Sequence, residues 1–371
     1  MSNTTLSFHP AFRTLFRRAA GLGIATAACL AVFSGTAMAQ KTIKLTAMDG
    51  YPPKAIWVKT FIEFFIPEVD KRLAKDGKYK IEWNQAWAGQ IVKPRKVLQG
   101  LQTGLGDIGI VTSIFHPDKV PLQSIAYTAP FVTTDPALAS RVLDELYAEF
   151  PAYGEAWKKY NQVYLTNLAV LDSYQMFFKE PVSGLKDFEG RKIASAGLNL
   201  RYLKNTGAVG VAGSLVSYYN KIKTGVVDGT MLWPEAVVGF KIVEVAPYML
   251  KADIGTMNSK SITMNADSWK RLPKEVQTVI KEVAVAYRDY TTAEVMKKAK
   301  TSYDLFEKAG GKIVEMTPEQ RMNWAKTMPN VAKDWTANLE KKGVPAKAVL
   351  KAYMDKMRAA NQPILRQWDK E

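Results

Sequence analysis

The 371-residue chain carries 51 Lys and Arg against 35 Asp and Glu, with two histidines and a single cysteine. At 47% hydrophobic and 23% charged it has the balance of a globular protein, which excludes a disordered, collagenous or disulfide-stapled chain. Arg13, Arg17 and Arg18 precede an apolar run from Ala19 to Phe33, and Ala37-Met38-Ala39 follows. This is the pattern of a secretory signal peptide over residues 1–39, so export to the periplasm is expected. Arg17-Arg18 fits a twin-arginine signal poorly, and Thr26 is a poor match to a lipoprotein box ending at Cys29. Cleavage after Ala39 leaves 332 residues, lowers the net charge from +16 to +13, and removes Cys29 and His9. The mature chain then has no cysteine and only His116. That excludes disulfides, Cys-ligated zinc, a Cys nucleophile and a multi-histidine metal centre, and neither a metal nor a cofactor is expected. No later segment reaches ~18 consecutive apolar residues, the length that would suggest a membrane span.

A mature chain of this length exceeds one usual core, so two lobes are expected. No linker, internal repeat or low-complexity stretch divides it, which points to lobes joined by several crossings of the chain. Residues 42–48 alternate as a strand, 56–73 have helical spacing with Trp57 and Phe61 in the apolar stripe, and 80–83 read as a short strand. Pro94 opens a helix to about Thr103, followed by the apolar strand 107–112. Further strands are read at 162–171, 192–195, 227–232, 261–265 and 312–315. The pattern predicts an α/β fold with mainly parallel sheets. Residues 272–308 read as one long helix, started by Pro273 and stopped by Gly310-Gly311. At 1.5 Å per residue it would be ~50 Å long, enough to brace both lobes. Lobe 1 is expected over 41–165 and 255–290, and lobe 2 over 166–254 and 316–371.

Gly104-Leu-Gly106-Asp-Ile-Gly109 has dinucleotide-fingerprint spacing, but a helix precedes it and a strand follows, the reverse of what phosphate binding requires. It reads as a tight helix-to-strand turn. The excess of basic residues is interleaved with acids on helices, so it reads as solvated faces and no nucleic-acid partner is expected. His116 sits just past a strand end, where ligand contact and a plain surface loop are equally open readings. The aromatic residues are more informative. Tyr51, Trp87, Phe115, Tyr174 and Trp233 each follow a strand, where the floor of a cleft lies in open α/β sheets, and as a set they read as pocket lining.

Five ordered motifs carry a family resemblance: Leu98-Gln-Gly-Leu-Gln-Thr-Gly104-Leu-Gly-Asp107, Ala129-Pro130-Phe131, the stretch from Pro181 to Ile193, Tyr219…Thr224-Gly225-Val-Val-Asp228-Gly229, and Met264-Asn265…Trp269…Leu272-Pro273. Over nearly all of residues 41–315 the chain resembles the solute-binding protein of a tripartite ATP-independent periplasmic (TRAP) transporter, of the C4-dicarboxylate-binding type. The resemblance implies a two-lobed α/β fold with a long bracing helix and closure around one small organic solute. It also implies delivery of that solute to a TRAP membrane permease driven by an ion gradient, with no catalysis.

The chain departs from the family at the clamp. Where most members carry an Arg that pairs with the solute carboxylate, this sequence has Ala194, followed by Ser195. The Glu usual before Tyr219 is Ser217, and a second Arg has no counterpart near Tyr174–Phe178. An unpaired carboxylate in a closed cleft is costly, and Arg suits it in a way that Ala does not. The expectation is therefore a neutral or cationic solute, a small amine or amino-alcohol. Aromatic faces (Tyr51, Trp87, Trp233) and a carboxylate (Asp49 or Glu235) would hold it, with Phe115, Tyr174, Ser195 and Tyr219 completing the site. The alternative is an organic acid held by a relocated base, either Arg201 or a nearby lysine. Two rival readings are an exported hydrolase using Asp49, Asp228 or Glu235, and a binding protein for an ATP-driven importer.

Overall fold

The first strand, β1 (Lys41–Met48), buries Leu45 and Ala47 and leaves Lys44 in solvent, the alternation of a strand with one covered face. In the computed structural model, which describes residues 40–371, β1 pairs in parallel with β2 (Tyr79–Ala86) on one side and β3 (Ile108–Thr112) on the other. The export signal read over 1–39 lies outside the described residues. β10 (Asn258–Asn265) runs antiparallel between β3 and β4 (Gln162–Ala169), giving the order β2-β1-β3-β10-β4. The second sheet joins β5 (Gln175–Phe178), β6 (Lys192–Ser195), β7 (Val209–Ala212), β8 (Gly229–Leu232), β9 (Tyr248–Lys251) and β11 (Lys312–Glu315) in the order β11-β9-β5-β8-β6-β7. Both sheets are flanked by helices, so the fold is the expected two-lobed α/β architecture.

The sheets are more mixed than their sequence suggests. β10 is antiparallel to both its neighbours, and so is β5. Each is reached straight from the other sheet, β5 from β4 and β10 from β9, without a returning crossover helix. A strand fed that way enters its sheet at the opposite end.

One turn is used twice, once per sheet. Helix Val97–Gln102 ends in Thr103-Gly104 and leads through Asp107 into β3; helix Leu215–Lys223 ends in Thr224-Gly225 and leads through Asp228 into β8. Gly104 and Gly225 both have left-handed φ, 76° and 72°. The Asp107 carboxylate accepts the Thr46 backbone N–H at 2.7 Å, and that of Asp228 accepts the Lys192 N–H at 2.8 Å. Asp228 is therefore a turn residue that ties two parallel strands together, which removes it from the hydrolase reading.

Helix Lys274–Lys308 is the expected strut. On the first lobe its Arg288 meets Asp144 at 2.6 Å, and Asp144 also accepts the Tyr164 hydroxyl. The Tyr287 hydroxyl donates to the Trp57 carbonyl at 2.5 Å. On the second lobe Lys298 faces Glu235 at 3.6 Å, and Phe306 packs edge-on against Phe177. The C-terminal segment divides, where the sequence reading grouped all of 316–371 with lobe 2. Helix Pro318–Thr327 stays there, with Trp324 edge-on against Phe188 and its indole donating to the Tyr202 carbonyl, while Arg321 donates to the carbonyls of Ala252 and Asp253. Helix Ala346–Ala359 packs on Pro136–Glu149 of the first lobe, with Lys356 between Glu145 and Glu149. The Trp368 indole then donates to the Pro130 carbonyl at 2.7 Å.

The two strand crossings, residues 170–174 and 252–257, are tied to each other. Tyr174 N–H donates to Gly255 O and Ile254 N–H to Tyr174 O, both at 3.1 Å. Gly255 has φ 116°, and a Cβ there would lie 3.0 Å from the Thr133 carbonyl oxygen. Gly255→Ala is expected to lower stability by about 1–3 kcal/mol, read as a shift of the denaturant midpoint at unchanged slope.

Candidate ligand-binding cleft

The carboxyl ends of β1 and β3, the β4–β5 crossing and the end of β8 converge on a narrow cleft. Tyr51, Phe115, Tyr174 and Trp233 line it, and Tyr174 and Trp233 meet edge-on at 5.9 Å. These four aromatics are placed where their positions after strands put them. The remaining candidates are placed elsewhere. Trp87 is buried in the first lobe against Phe61, its indole donating to Gln85 Oε1 at 3.0 Å. Ser195 is buried but off the cavity wall, which is formed by the next residue, Ala196. Tyr219 faces outward and donates to Glu244 at 2.9 Å; Tyr218 lines the cavity instead, one helical step of about 100° away.

The two carboxylate candidates are engaged by the protein itself. Glu235 accepts the Trp233 indole N–H at 3.2 Å and pairs with Lys298 of the strut. Its pKa is raised, chiefly by burial, with Lys298 opposing. Asp49 is fully buried; it accepts the Trp57 indole N–H at 2.9 Å and the Tyr51 backbone N–H at 3.2 Å. Burial pushes its pKa up, against the pull of Lys260 and these donors.

Lys260 is the residue that the sequence reading missed by name. It sits in β10, 3% exposed, in a strand whose residues are all buried. Its ammonium lies 3.9 Å from the Trp57 ring centroid and 4.5 Å from that of Tyr51, and it donates to Thr112 Oγ1 at 2.9 Å. Burial lowers its pKa, and the Asp49 charge partly restores it. Of the aromatic faces expected to hold an ammonium ligand, Tyr51 is instead covered by the protein's own lysine, together with Trp57, a residue not expected there. Lys260 also lines the cavity. Among the described residues Thr112 is the only hydrogen-bond partner of this three-donor group, which leaves donors for an acceptor arriving in the cleft. Arg201, the other basic alternative, is not on the cavity wall. Trp57, hidden in a helical apolar stripe, and Asn199, in the turn Gly197–Leu203, are among the other lining residues that sequence reading did not single out.

The phenols stay protonated. Burial raises the pKa values of Tyr51, Tyr174 and Tyr218, so these walls offer hydroxyl donors. At the cleft mouth two contacts join the lobes. Arg95 stacks on Phe115 and donates to the Gly213 carbonyl at 3.1 Å, and the Lys54 ammonium lies 4.2 Å from the Phe240 ring centroid. Among the described residues no cluster of three or more His, Cys, Asp or Glu is placed to hold a metal ion.

Comparison with known proteins agrees with this geometry. The profile of the bacterial extracellular solute-binding proteins, family 7, matches residues 50–339. The C4-dicarboxylate-binding periplasmic protein DctP of Rhodobacter capsulatus is 24% identical over 252 residues, 65% of this chain and 72% of that protein. Two solved TRAP solute-binding proteins share the fold. That of Rhodoferax ferrireducens, in complex with copurified benzoate, superposes with a TM-score of 0.76 at 16% identity, covering 86% of this chain and 98% of its own. That of Bordetella bronchiseptica, with bound mandelate, gives 0.74 at 20% identity, covering 86% and 99%. A two-lobed α/β chain with a strut helix, an aromatic cleft between the lobes and a family profile spanning most of its length belongs to bacterial extracellular solute-binding protein family 7, the solute-binding components of TRAP transporters, and it binds solute for transport rather than catalysing a reaction.

Proposed function

We propose that the solute is a small carboxylic acid, gripped by Lys260 and enclosed by Tyr51, Phe115, Tyr174, Tyr218 and Trp233. The observation that carries this reading is the Lys260 ammonium, buried on the cavity wall in a cage that a cationic ligand would otherwise need. A second cation placed beside it would meet like-charge repulsion in a poorly screened site, whereas a carboxylate would complete its hydrogen bonding. The acids bound by the Rhodoferax and Bordetella proteins, benzoate and mandelate, suit a cavity with this apolar, aromatic lining. The earlier expectation of an amine rested on the missing clamp at Ala194, and Lys260 supplies the base from the opposite lobe.

In this reading residues 1–39 direct export to the periplasm, and the loaded protein docks on a TRAP permease. Lobe 1 comprises the first sheet with its helices, lobe 2 comprises the second, and the crossings at 170–174 and 252–257 act as the hinge. Closure follows from ligand contacts contributed by both lobes. Calorimetry of benzoate, mandelate and short aliphatic acids against size-matched amines tests the charge assignment. Acids should bind and amines should stay silent; amine binding with every acid silent would overturn it.

The contacts at the mouth should hold the closed form. Arg95→Ala is expected to raise Kd by roughly two- to tenfold, mostly through faster dissociation, because exposed charge-assisted and cation–π contacts are individually modest. Stopped-flow dissociation in low and high salt checks it.

A further inference from the structure

Asn199 is 0% exposed and lies on the cavity wall, yet neither its amide nitrogen nor its carbonyl oxygen has a hydrogen-bond partner among the described residues. The Tyr174 phenol is near enough for the amide to hold its pKa down against burial, but no hydrogen bond closes between them. Buried polar atoms are nearly always paired, and a carboxamide with both its donor and its acceptor open is a matched vacancy rather than a single stray atom. It is also on the second lobe, in the turn Gly197–Leu203, whereas Lys260 is on β10 of the first. The turn is rigidly seated. The Tyr202 hydroxyl donates to the Tyr127 carbonyl at 2.7 Å, and the Trp324 indole donates to the Tyr202 carbonyl at 2.9 Å, so Asn199 cannot readily swing away to find solvent.

We infer that Asn199 is a specificity-determining residue that selects, among carboxylic acids, those bearing a primary amide or a lactam. A planar amide edge offers a C=O and an N–H side by side, the complement of the open edge of Asn199, and makes two parallel hydrogen bonds. A lone hydroxyl can satisfy only one of the two at a time in that geometry. The inference rests on the carboxylate reading: Lys260 takes the acid from one lobe and Asn199 takes the amide from the other. A ligand with both groups would therefore bridge the cleft by polar contacts, and one with the acid alone would leave the Asn199 pair buried and open.

The test compares two ring acids of the same size on the mature chain by calorimetry: a five-membered lactam carboxylate and cyclopentanecarboxylate. The native protein should prefer the lactam acid by about 10- to 100-fold. Asn199→Leu, of similar volume and without polar atoms, should reduce that preference to below about threefold while binding cyclopentanecarboxylate at least as well as the native chain. A thermal melt of the variant confirms that it is folded, and the native preference needs no variant at all. Equal native affinity for the two acids, or a preference that survives Asn199→Leu, would overturn the Asn199 assignment alone, provided cyclopentanecarboxylate binding still depends on Lys260. If neither acid binds, or if binding is indifferent to Lys260→Met, the carboxylate reading itself fails and this inference goes with it.

Discussion

Lys260→Met should weaken binding of any carboxylate by roughly 30-fold to several thousand-fold, the range expected when one member of a buried charge pair is truncated, about 2–5 kcal/mol. Methionine keeps most of the volume between the Trp57 and Tyr51 rings and removes only the ammonium, so the loss reports charge rather than a cavity. The fold should tolerate it. Asp49, left without its counter-charge, already has its pKa raised by burial and can take up a proton, which limits the cost of an unpaired buried ion. Lys260→Ala goes further, because it empties the cage formed by the two rings above Asp49. That variant is expected to bind methyl- or ethylammonium, which the native chain should ignore. Calorimetry with acid and amine on both variants gives a reciprocal pattern. Undiminished acid binding by Lys260→Met in a folded protein would remove the lysine from the site.

The second large effect is on pH. Burial holds the Lys260 pKa below that of a solvated lysine, and Asp49 partly restores it. A bound carboxylate raises it again. Below the free-state value the ammonium is already formed and affinity is full; above it, binding must take up a proton, so affinity falls by up to about tenfold per pH unit until the bound-state value is passed. For an acid ionised throughout, Kd should therefore rise as pH climbs from neutrality toward 9. Protonation of Asp49 on the acid side acts in the same direction, since it removes a negative charge near the ligand. The wall phenols contribute nothing over this range, because burial raises them. Asp49→Asn removes the charge that supports the lysine, so the fall in affinity should move to lower pH. Titrations in two buffers of different ionisation enthalpy measure the proton uptake directly. A flat Kd with no uptake would mean that Lys260 is fully charged throughout or does not touch the solute.

Much of this architecture was readable from residue order. The strut helix has a proline start, a diglycine stop and an unbroken helical stripe, so local chemistry specifies it. Tyr51, Phe115, Tyr174 and Trp233 were readable because α/β sheets gather ligands past strand ends. Lys260 was not, since its burial is a tertiary fact: β10 is covered on both faces and flanked by antiparallel neighbours, which the polar segment Asn258-Ser259-Lys260-Ser261 conceals. The strand read from sequence began at Ser261, one residue after the lysine, whereas β10 begins at Asn258. Tyr219 came from the family resemblance, as the tyrosine matching its motif, whereas Tyr218, one residue earlier on the helix, lines the cavity. Trp57 resembled core because it does pack there, and only its indole N–H, bound to Asp49, marks its second task. The strands β7 and β9 were not read, although β6 and β11, equally of four residues, were.

The strut also sets how the jaws can part. Arg288 is pinned to one lobe and Lys298, ten residues on and ~15 Å along the axis, leans on the other through Glu235. Glu235 is the same carboxylate that steadies the Trp233 indole on the cleft wall. Spreading the halves must flex those three turns like a leaf spring or pull Lys298 off Glu235, and either motion slackens the grip on Trp233. Unfastening the wall and releasing the cargo would then be a single mechanical stroke, with the elastic return of the helix resetting the trap for its next catch.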